Sequence, residues 1–326
     1  MRYVIGVDGG QTSTVAAVLD ETGTVLGVGR GGPANHIHET GGVARIQRSL
    51  KDAIESCLIQ ADLQNARIAL TCLGMTGSSE QMEDLCAQVV PSNEMLFGHD
   101  TRIALYAVTG GEPGAVVIAG TGSAAFAQAP NGEEAQVGGW GYLMGDEGSG
   151  YWIGLKALNC CAKAEDGRGK STRLSSLIKE QLEVQTMQEV HSMVYDGNFG
   201  RPEIASLALS VSLAAQAGDT EAKAILRQAG QELAAAVCTA IEKVGMQQNE
   251  VVVGTAGSIF KAGRPLLHPF RTVVLKTVPK AQIIPPKMPA AVGAGLMALK
   301  QIGCNLHSEL LKNLLMSLGR FTPMKS

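Results

Sequence analysis

Residues 3–23 read YVIGVDGGQTSTVAAVLDETG, and residues 115–132 read AVVIAGTGSAAFAQAPNG. Each opens with an apolar, β-branched strand, Tyr3 to Asp8 in one and Ala115 to Ala119 in the other. Each then breaks at a glycine corner rich in hydroxyls: Gly9-Gly10 with Thr12, Ser13 and Thr14, and Gly120-Thr121-Gly122-Ser123. A second strand follows, Thr12 to Leu19 or Ala124 to Ala129. It is closed by a turn, Asp20–Gly23 or Pro130–Glu133, that places glycine where φ > 0 is needed. The turn glycine lies 13 residues after Gly10 in one copy (23 − 10) and 12 after Gly120 in the other (132 − 120). Two such hairpins, 110 residues apart (120 − 10), suggest a duplicated α/β fold with one nucleotide held by two lobes. Chance recurrence of a common hairpin would give the same spacing, so the repeat alone leaves both readings open.

Around these hairpins, apolar residues at Val43, Ile46, Leu50, Ile54, Cys57 and Leu58 predict a helix from about Gly42 to Ala61. The pattern continues with strands at Thr24–Val28, Arg67–Leu73 and Glu94–Gly98, and helices at Glu80–Val90 and Asp100–Val108. From Glu147 onward the chain reads as mostly helical. Gly148–Ala164, Arg201–Ala217 and Asp219–Val244 are the candidate helices, the last with Asp219 as N-cap. A strand at Val251–Val253 ends in Gly254-Thr255-Ala256-Gly257-Ser258. Pro285, Pro286 and Pro289 form a stiff connection, and Pro289 suits the first position of a helix reaching Gln301. A last amphipathic helix spans about His307–Leu318, and the tail from Arg320 is expected to be loose.

At 326 residues the soft prior is two domains, and 45 % hydrophobic residues suffice for a real core. Lys+Arg 27 against Asp+Glu 30 gives a net charge of −3, which argues against a nucleic-acid partner needing a basic face. The seven cysteines are odd in number and form no C-x-x-C pair. That favours buried free thiols in a reducing cytoplasm over a disulfide framework or zinc ribbon. The first residues lack a signal-peptide pattern and no apolar run reaches the ~18 residues of a span. A soluble cytoplasmic protein without a membrane partner is expected.

Two nucleotide motifs fail on context. Gly169-Lys170-Ser171 imitates the end of a Walker A loop, but Ala164 stands where its first glycine belongs and no strand precedes it. Gly27-x-Gly29-x-x-Gly32 is followed by Pro33 and Asn35 rather than a helix. Asp8-Gly9-Gly10-Gln11-Thr12 carries more chemistry. Glycines let amide N–H groups approach phosphate oxygens, and Asp8 at the strand end can hold Mg²⁺ directly or through water. Gly120–Ser123 and Gly254–Ser258 are two further such corners.

Asp100 sits where a strand gives way to a helix, placed as a general base or as an ordinary helix cap. Asn35, His36 and His38 lie on a loop. His-x-His without a third ligand is a weak metal pair, and Asn and His suit hydroxyl binding better. The densest segment is Gly138–Gly150, with one of two tryptophans (Trp140), two carboxylates (Asp146, Glu147) and six glycines. An aromatic face beside acids suits a sugar, whose C–H groups stack while its hydroxyls donate.

Taken in order, D-G-G-x-T-x-T, G-x-D, A-G-T-G-S, G-G-W-G-x-x-x-G-D-E-G-S-G-Y-W-I-G and V-G-T-A-G-S resemble the BadF/BadG/BcrA/BcrD ATPase family. That family includes N-acetylglucosamine kinase and belongs to the actin, sugar-kinase and heat-shock-chaperone ATPase superfamily. The resemblance implies two RNase-H-like (actin-like ATPase) lobes closing on ATP-Mg²⁺ and a sugar. The first lobe would be residues 1–112, joined or not by the last helix 307–319. The second would be 113–306, with a helical insertion. Gly9, Gly10, Thr12, Thr121, Gly122 and Ser123 would hold the phosphates, and Gly257 and Ser258 the adenosine. Asp8 would place Mg²⁺. Asn35, Thr76, Trp140 and Asp146 would lie in or near the sugar site, and Asp100 would be the catalytic base.

The implied activity is ATP-dependent phosphorylation, at O6, of an amino sugar, with N-acetylglucosamine first and glucosamine or N-acetylmuramic acid as alternatives. One departure from the pattern is Arg102 two residues after the base. It either faces solvent or reaches an acidic substituent such as a lactyl group. The competing function is an ATPase that activates a dehydratase or reductase through an iron–sulfur cluster. Against it, the corner at Gly120 has no cysteine and Cys160-Cys161 are adjacent. A homodimer is left open.

Overall fold

A computed structural model describes residues 1–321 except 36, 78 and 198. His36 and most of the tail from Arg320 (322–326) therefore lie outside the described residues. The chain forms two compact units, residues 1–112 with 285 onward, and residues 113–284.

In the first unit the chain runs β1 (Tyr3–Gly9), β2 (Thr14–Asp20), β3 (Val25–Gly31), α1 (Gly42–Gln60), β4 (Ile68–Met75), α2 (Glu80–Ala87), β5 (Met95–His99) and α3 (Asp100–Thr109). The second unit holds β6 (Gly114–Ala119), β7 (Ser123–Gln128), β8 (Glu134–Gly138) and α4 (Gly150–Glu165). Its helical insertion is α5 (Leu174–Gln181), α6 (Met187–Tyr195), α7 (Arg201–Ser206) and α8 (Ala208–Gln216). It closes with α9 (Thr220–Lys243), β9 (Val251–Ala256), a 3-10 turn at Ser258–Ala262, α10 (Arg264–Thr277) and β10 (Ala281–Ile284). The chain then returns to the first unit as α11 (Ala290–Gln301) and α12 (Ser308–Leu318).

The sheet orders are β3-β2-β1-β4-β5 and, read in the matching direction, β8-β7-β6-β9-β10. In both, the first three strands form an antiparallel meander, and the fourth and fifth join parallel. The duplication suggested by two hairpins therefore extends to whole RNase-H-like sheets. Each parallel step needs a crossover: α1 precedes β4, α2 links β4 to β5, the helices ending in α9 precede β9, and α10 links β9 to β10.

Alternation along β2 shows why the first unit has two layers. Ala16 and Val18 pack with Ile46, Leu50, Ala53, Ile54 and Cys57 of α1, whereas Ala17 and Leu19 pack with α11 and α12. Each large apolar side chain so buried contributes about 2 kcal/mol. The β3 glycines that imitate a dinucleotide motif serve packing. A Cβ on Gly27, Gly29 or Gly31 would meet the α1 carbonyls of Cys57, Ala53 or Ser49 at 2.2, 2.0 and 1.9 Å. Glycine at every second residue thus clears one face of the strand for the helix.

Three expectations change. Residues 285–306, assigned to the second lobe, pack in the first. α11 lies on β1 so closely that a Cβ on Gly6 would fall 2.1 Å from the Ala291 carbonyl. Pro289 is the N-cap of α11, not its first helical residue. Arg201–Ala217 is two helices, broken at the buried Leu207, whose N–H bonds back three residues to Ile204. The edge strands β8 and β10 and helices α5 and α6 had no individual prediction. Asp219 does cap α9, accepting from the Ala222 N–H at 2.9 Å. All seven cysteines are free, five of them buried. Among the described residues no helix is long and apolar enough to cross a membrane.

Candidate active site

In the first unit the strand register sets one edge. Gly9 pairs with Met75 and Met75 with His99, so the C-terminal ends of β1, β4 and β5 finish in one row. The residues that directly follow β4 and β5 are Thr76 and Asp100. In open α/β sheets this edge is where ligands bind. The row is tied together. The Thr76 N–H donates to the Gly9 carbonyl at 3.0 Å, and the Thr76 hydroxyl donates to Asp100 Oδ2 at 2.8 Å. The Ala34 N–H donates to the Gly10 carbonyl at 3.0 Å, which brings the Asn35 loop against the glycine corner. Asn35 is buried and its carbonyl accepts from Arg45 Nη2 at 2.8 Å. Of the corner's hydroxyls, Thr14 is buried and donates to the Gly32 carbonyl, while Thr12 and Ser13 are exposed. Gln11 Oε1 is buried and finds no partner among the described residues.

Asp100 is the first residue of α3, whose N-cap is His99. Burial raises its pKa, opposed by the Thr76 hydroxyl, the His99 charge and the amides of the first helical turn. Asp8, paired in register with Gly74, is pushed up to about 7 by burial first and then by the Asp100 charge. Arg102 is half-buried, with its stem along Gly98, where a Cβ would lie 3.7 Å from Arg102 Cδ.

In the second unit the Gly120–Ser123 corner is stitched to the segment that follows Trp140. The Gly150 N–H donates to the Gly120 carbonyl at 2.7 Å, and the Tyr151 N–H to the Thr121 carbonyl at 3.2 Å. The Ser123 hydroxyl donates to the Glu147 carbonyl at 2.8 Å. Helix α4 begins here, capped by Ser149, which accepts from the Trp152 N–H at 3.2 Å. Loop carbonyls thus face the start of a helix, whose free N–H groups they satisfy.

Asp146 is 3 % exposed and adopts a left-handed φ of 60°. Its Oδ1 accepts from the Ser123 N–H at 3.1 Å, and its Oδ2 accepts from Arg201 Nη2. Trp140, by contrast, is 72 % exposed, and its Cβ approaches Gly145. Gly257, with φ 101°, lies where a Cβ would be 2.2 Å from the Ala119 carbonyl, so the third corner abuts the end of β6. Ser258 beside it is exposed. Beyond the Ser258–Ala262 turn, α9 and α10 enclose a groove of about 540 Å³. Lys223, Arg227, Arg264 and His268 line it over Pro265 and Pro269, with no acidic residue.

The first unit therefore gathers Asp8, Gly9, Gly10, Thr12, Asn35, Thr76 and Asp100. The second gathers Thr121, Gly122, Ser123, Asp146, Gly257 and Ser258, with Trp140 at the exposed end of the same glycine-rich segment. Arg201 had no sequence signal of its own. A buried Asp146 requires a cation, but nothing in the spacing said which.

The sequence pattern of the BadF/BadG/BcrA/BcrD ATPase family matches residues 5–298. The chain is 32 % identical over 303 residues to an N-acetylmuramic acid/N-acetylglucosamine kinase of Clostridium acetobutylicum, covering 91 % of this chain and 98 % of that one. It is 29 % identical over 315 residues to an N-acetyl-D-glucosamine kinase of Dictyostelium discoideum, covering 90 % and 97 %. Among solved structures, a Chromobacterium violaceum protein provisionally named an N-acetylglucosamine kinase superposes with TM-score 0.75 at 29 % identity, covering 92 % of this chain and 99 % of its own.

Proposed function

We propose that this chain, which belongs to the BadF/BadG/BcrA/BcrD ATPase family, is an ATP-dependent kinase acting on an amino sugar. The acceptor is O6, and N-acetylglucosamine is the foremost substrate. The observation that carries the reading is the Asp100 carboxylate at the end of β5, with Oδ2 fixed by the Thr76 hydroxyl and Asp8 close enough to feel its charge. The names of the similar proteins, all amino-sugar kinases, support the substrate class.

Asp100 is the base. The Thr76 hydroxyl fixes Oδ2, and the carboxylate so held would accept the proton of the attacking hydroxyl. A carboxylate raised by burial is a better proton acceptor near neutral pH than a solvated one. Asn35 and Thr76 would orient the sugar from the first unit, and Trp140 would cover an apolar face of the ring. The Gly9-Gly10 and Thr121-Gly122-Ser123 corners, with the amide N–H groups of Thr121 and Gly122 and the Thr12 and Thr121 hydroxyls, would hold the phosphates and offset charge on the transferring group. Gly257, Ser258 and the basic groove beyond them would take the adenosine end.

Asp8 fits a divalent cation. No donor among the described residues reaches its carboxylate, and a cation would relieve both the burial penalty and the repulsion from Asp100. No cluster of three or more metal-ligating side chains occurs among the described residues. This matches Mg²⁺, which keeps phosphate and water ligands and takes only one or two carboxylates. Bound there, Mg²⁺ would neutralise phosphate charge.

A coupled ADP-release assay with N-acetylglucosamine, glucosamine, N-acetylmuramic acid and glucose tests the reading. Turnover should require an amino sugar, and Asp100→Asn should abolish it while ATP still binds. ATP hydrolysis indifferent to every sugar would point instead to an ATPase that drives a partner.

A further inference from the structure

Arg201 opens α7 in the helical insertion, far in sequence from the Gly120–Ser123 corner, yet its guanidinium is seated against that corner. A Cβ on Gly122 would lie 2.7 Å from Arg201 Nη2 and 2.9 Å from Asp146 Oδ1. The loop can pass over this pair only because residue 122 has no side chain. The guanidinium also lies 5.3 Å over the Tyr142 ring, and its Nε is buried without a partner among the described residues. The start of α7 is itself fixed, since the Gly200 N–H donates to Glu203 Oε2 at 2.9 Å and Pro202 follows Arg201.

Asp146 is an unusual residue to place behind a loop that binds phosphate. Its buried negative charge lies one hydrogen bond from the Ser123 amide and would repel a polyanion. Paired with Arg201, that charge is cancelled, and the loop's field is left to its N–H dipoles. A bidentate-capable, permanently charged guanidinium suits this better than an ammonium would.

We infer that Arg201 is a positioning residue for the nucleotide: by discharging Asp146 beneath the Gly120–Ser123 loop, it makes that loop a phosphate site and couples it to the helical insertion. The inference rests on the reading of Gly120–Ser123 as a phosphate loop. It assigns the Asp146 carboxylate to the loop first and to the sugar second.

The test is ADP binding by calorimetry, followed by steady-state kinetics, for Arg201→Met, Arg201→Lys, Asp146→Asn and the double variant Asp146→Asn/Arg201→Met. Arg201→Met leaves a buried carboxylate unpaired and should weaken ADP binding by about tenfold or more. Arg201→Lys keeps the charge and should stay within about threefold of wild type. Adding Asp146→Asn to Arg201→Met removes the stranded charge and should restore most of the affinity. Asparagine tolerates the left-handed backbone at 146, so the double variant is expected to fold. KM for the sugar should move less than the ADP affinity in each case.

A double variant no better than Arg201→Met overturns the inference. So does a sugar KM that rises while ADP binding is unchanged. If wild type binds ADP but phosphorylates no sugar, the kinase reading fails while the Arg201 series still decides this one.

Discussion

Replacing Asp8 by asparagine should stabilise the ligand-free protein at alkaline pH. In the folded chain the Asp8 pKa is pushed up from 3.8 to about 7 by burial and by the Asp100 charge. The folded state holds that proton more tightly than the unfolded state. The stability it contributes is therefore complete below about pH 4 and lost as pH rises through 7. At 1.36 kcal/mol per pH unit, the interval corresponds to about 4 kcal/mol. Asp8 keeps some solvent contact, and halving the figure for screening leaves about 2 kcal/mol. Asparagine is nearly isosteric and uncharged, so Asp8→Asn should gain that amount at pH 8 and above. In a unit of this size the gain equals about 4–8 °C in Tm. Scanning fluorimetry of both proteins from pH 5 to 9, without nucleotide or divalent cation, reads it directly. The difference should widen from pH 5 to 8 and then level off. A constant difference, or a variant less stable than wild type at pH 8, refutes the reasoning. With ATP and Mg²⁺ present the order should reverse, because ligand binding then stabilises wild type more than the variant.

Thr76→Val removes the hydroxyl that lowers the Asp100 pKa. The acid limb of kcat/KM against pH should move upward, and an unmoved limb would separate Thr76 from the base. Gly29→Ala puts a Cβ 2.0 Å from the Ala53 carbonyl and 2.4 Å from Ser56 Oγ. It should lower the urea midpoint by the equivalent of about 1–3 kcal/mol. Burial pushes the Cys57, Cys72 and Cys86 thiols up to about 12, whereas Cys160 and Cys304 are only partly buried. An aromatic disulfide reagent should titrate those last two quickly and the remaining five only after denaturation, and fast loss of more than two would contradict the packing.

What the sequence disclosed depended on how local the cause was. The β1–β2 and β6–β7 hairpins were legible because strand propensity and turn glycine act within a few residues. Helix α1 was legible from its apolar period, and the α9 start from Asp219. The β8 strand, Glu134 to Gly138, is a polar edge strand and β10 is four residues long, so neither carries a pattern. The return of residues 285–306 to the first unit is decided by backbone approach at Gly6 and Gly295, a long-range cause that Ala and Gly spacing does not announce. The glycines of β3 misread most easily. Their period of two resembles part of a nucleotide motif, and only the α1 carbonyls explain it. In the site, Asp8, Thr76 and Asp100 share an edge because their strands share a register, which strand assignments anticipate. Arg201 meets Asp146 through the insertion, which they do not.

The two copies of the hairpin have diverged in charge rather than in shape. β1 pairs Gly9 with Thr14 as its last rung, and β6 pairs Ala119 with Ser123. Ile118 therefore stands where Asp8 stands. The first unit keeps Asp8 beside Asp100, two carboxylates whose mutual repulsion raises one pKa and suits a site that takes a cation and a hydroxyl proton. The second unit has its acid displaced to Asp146, buried and neutralised by Arg201, beneath a corner whose amides suit phosphate. Under the proposed function, exchanging these arrangements would place uncompensated negative charge behind the phosphates and leave the hydroxyl without a base. The duplicated fold thus supplies the same glycine corner twice, and the placement of three carboxylates and one guanidinium gives each copy its own chemistry.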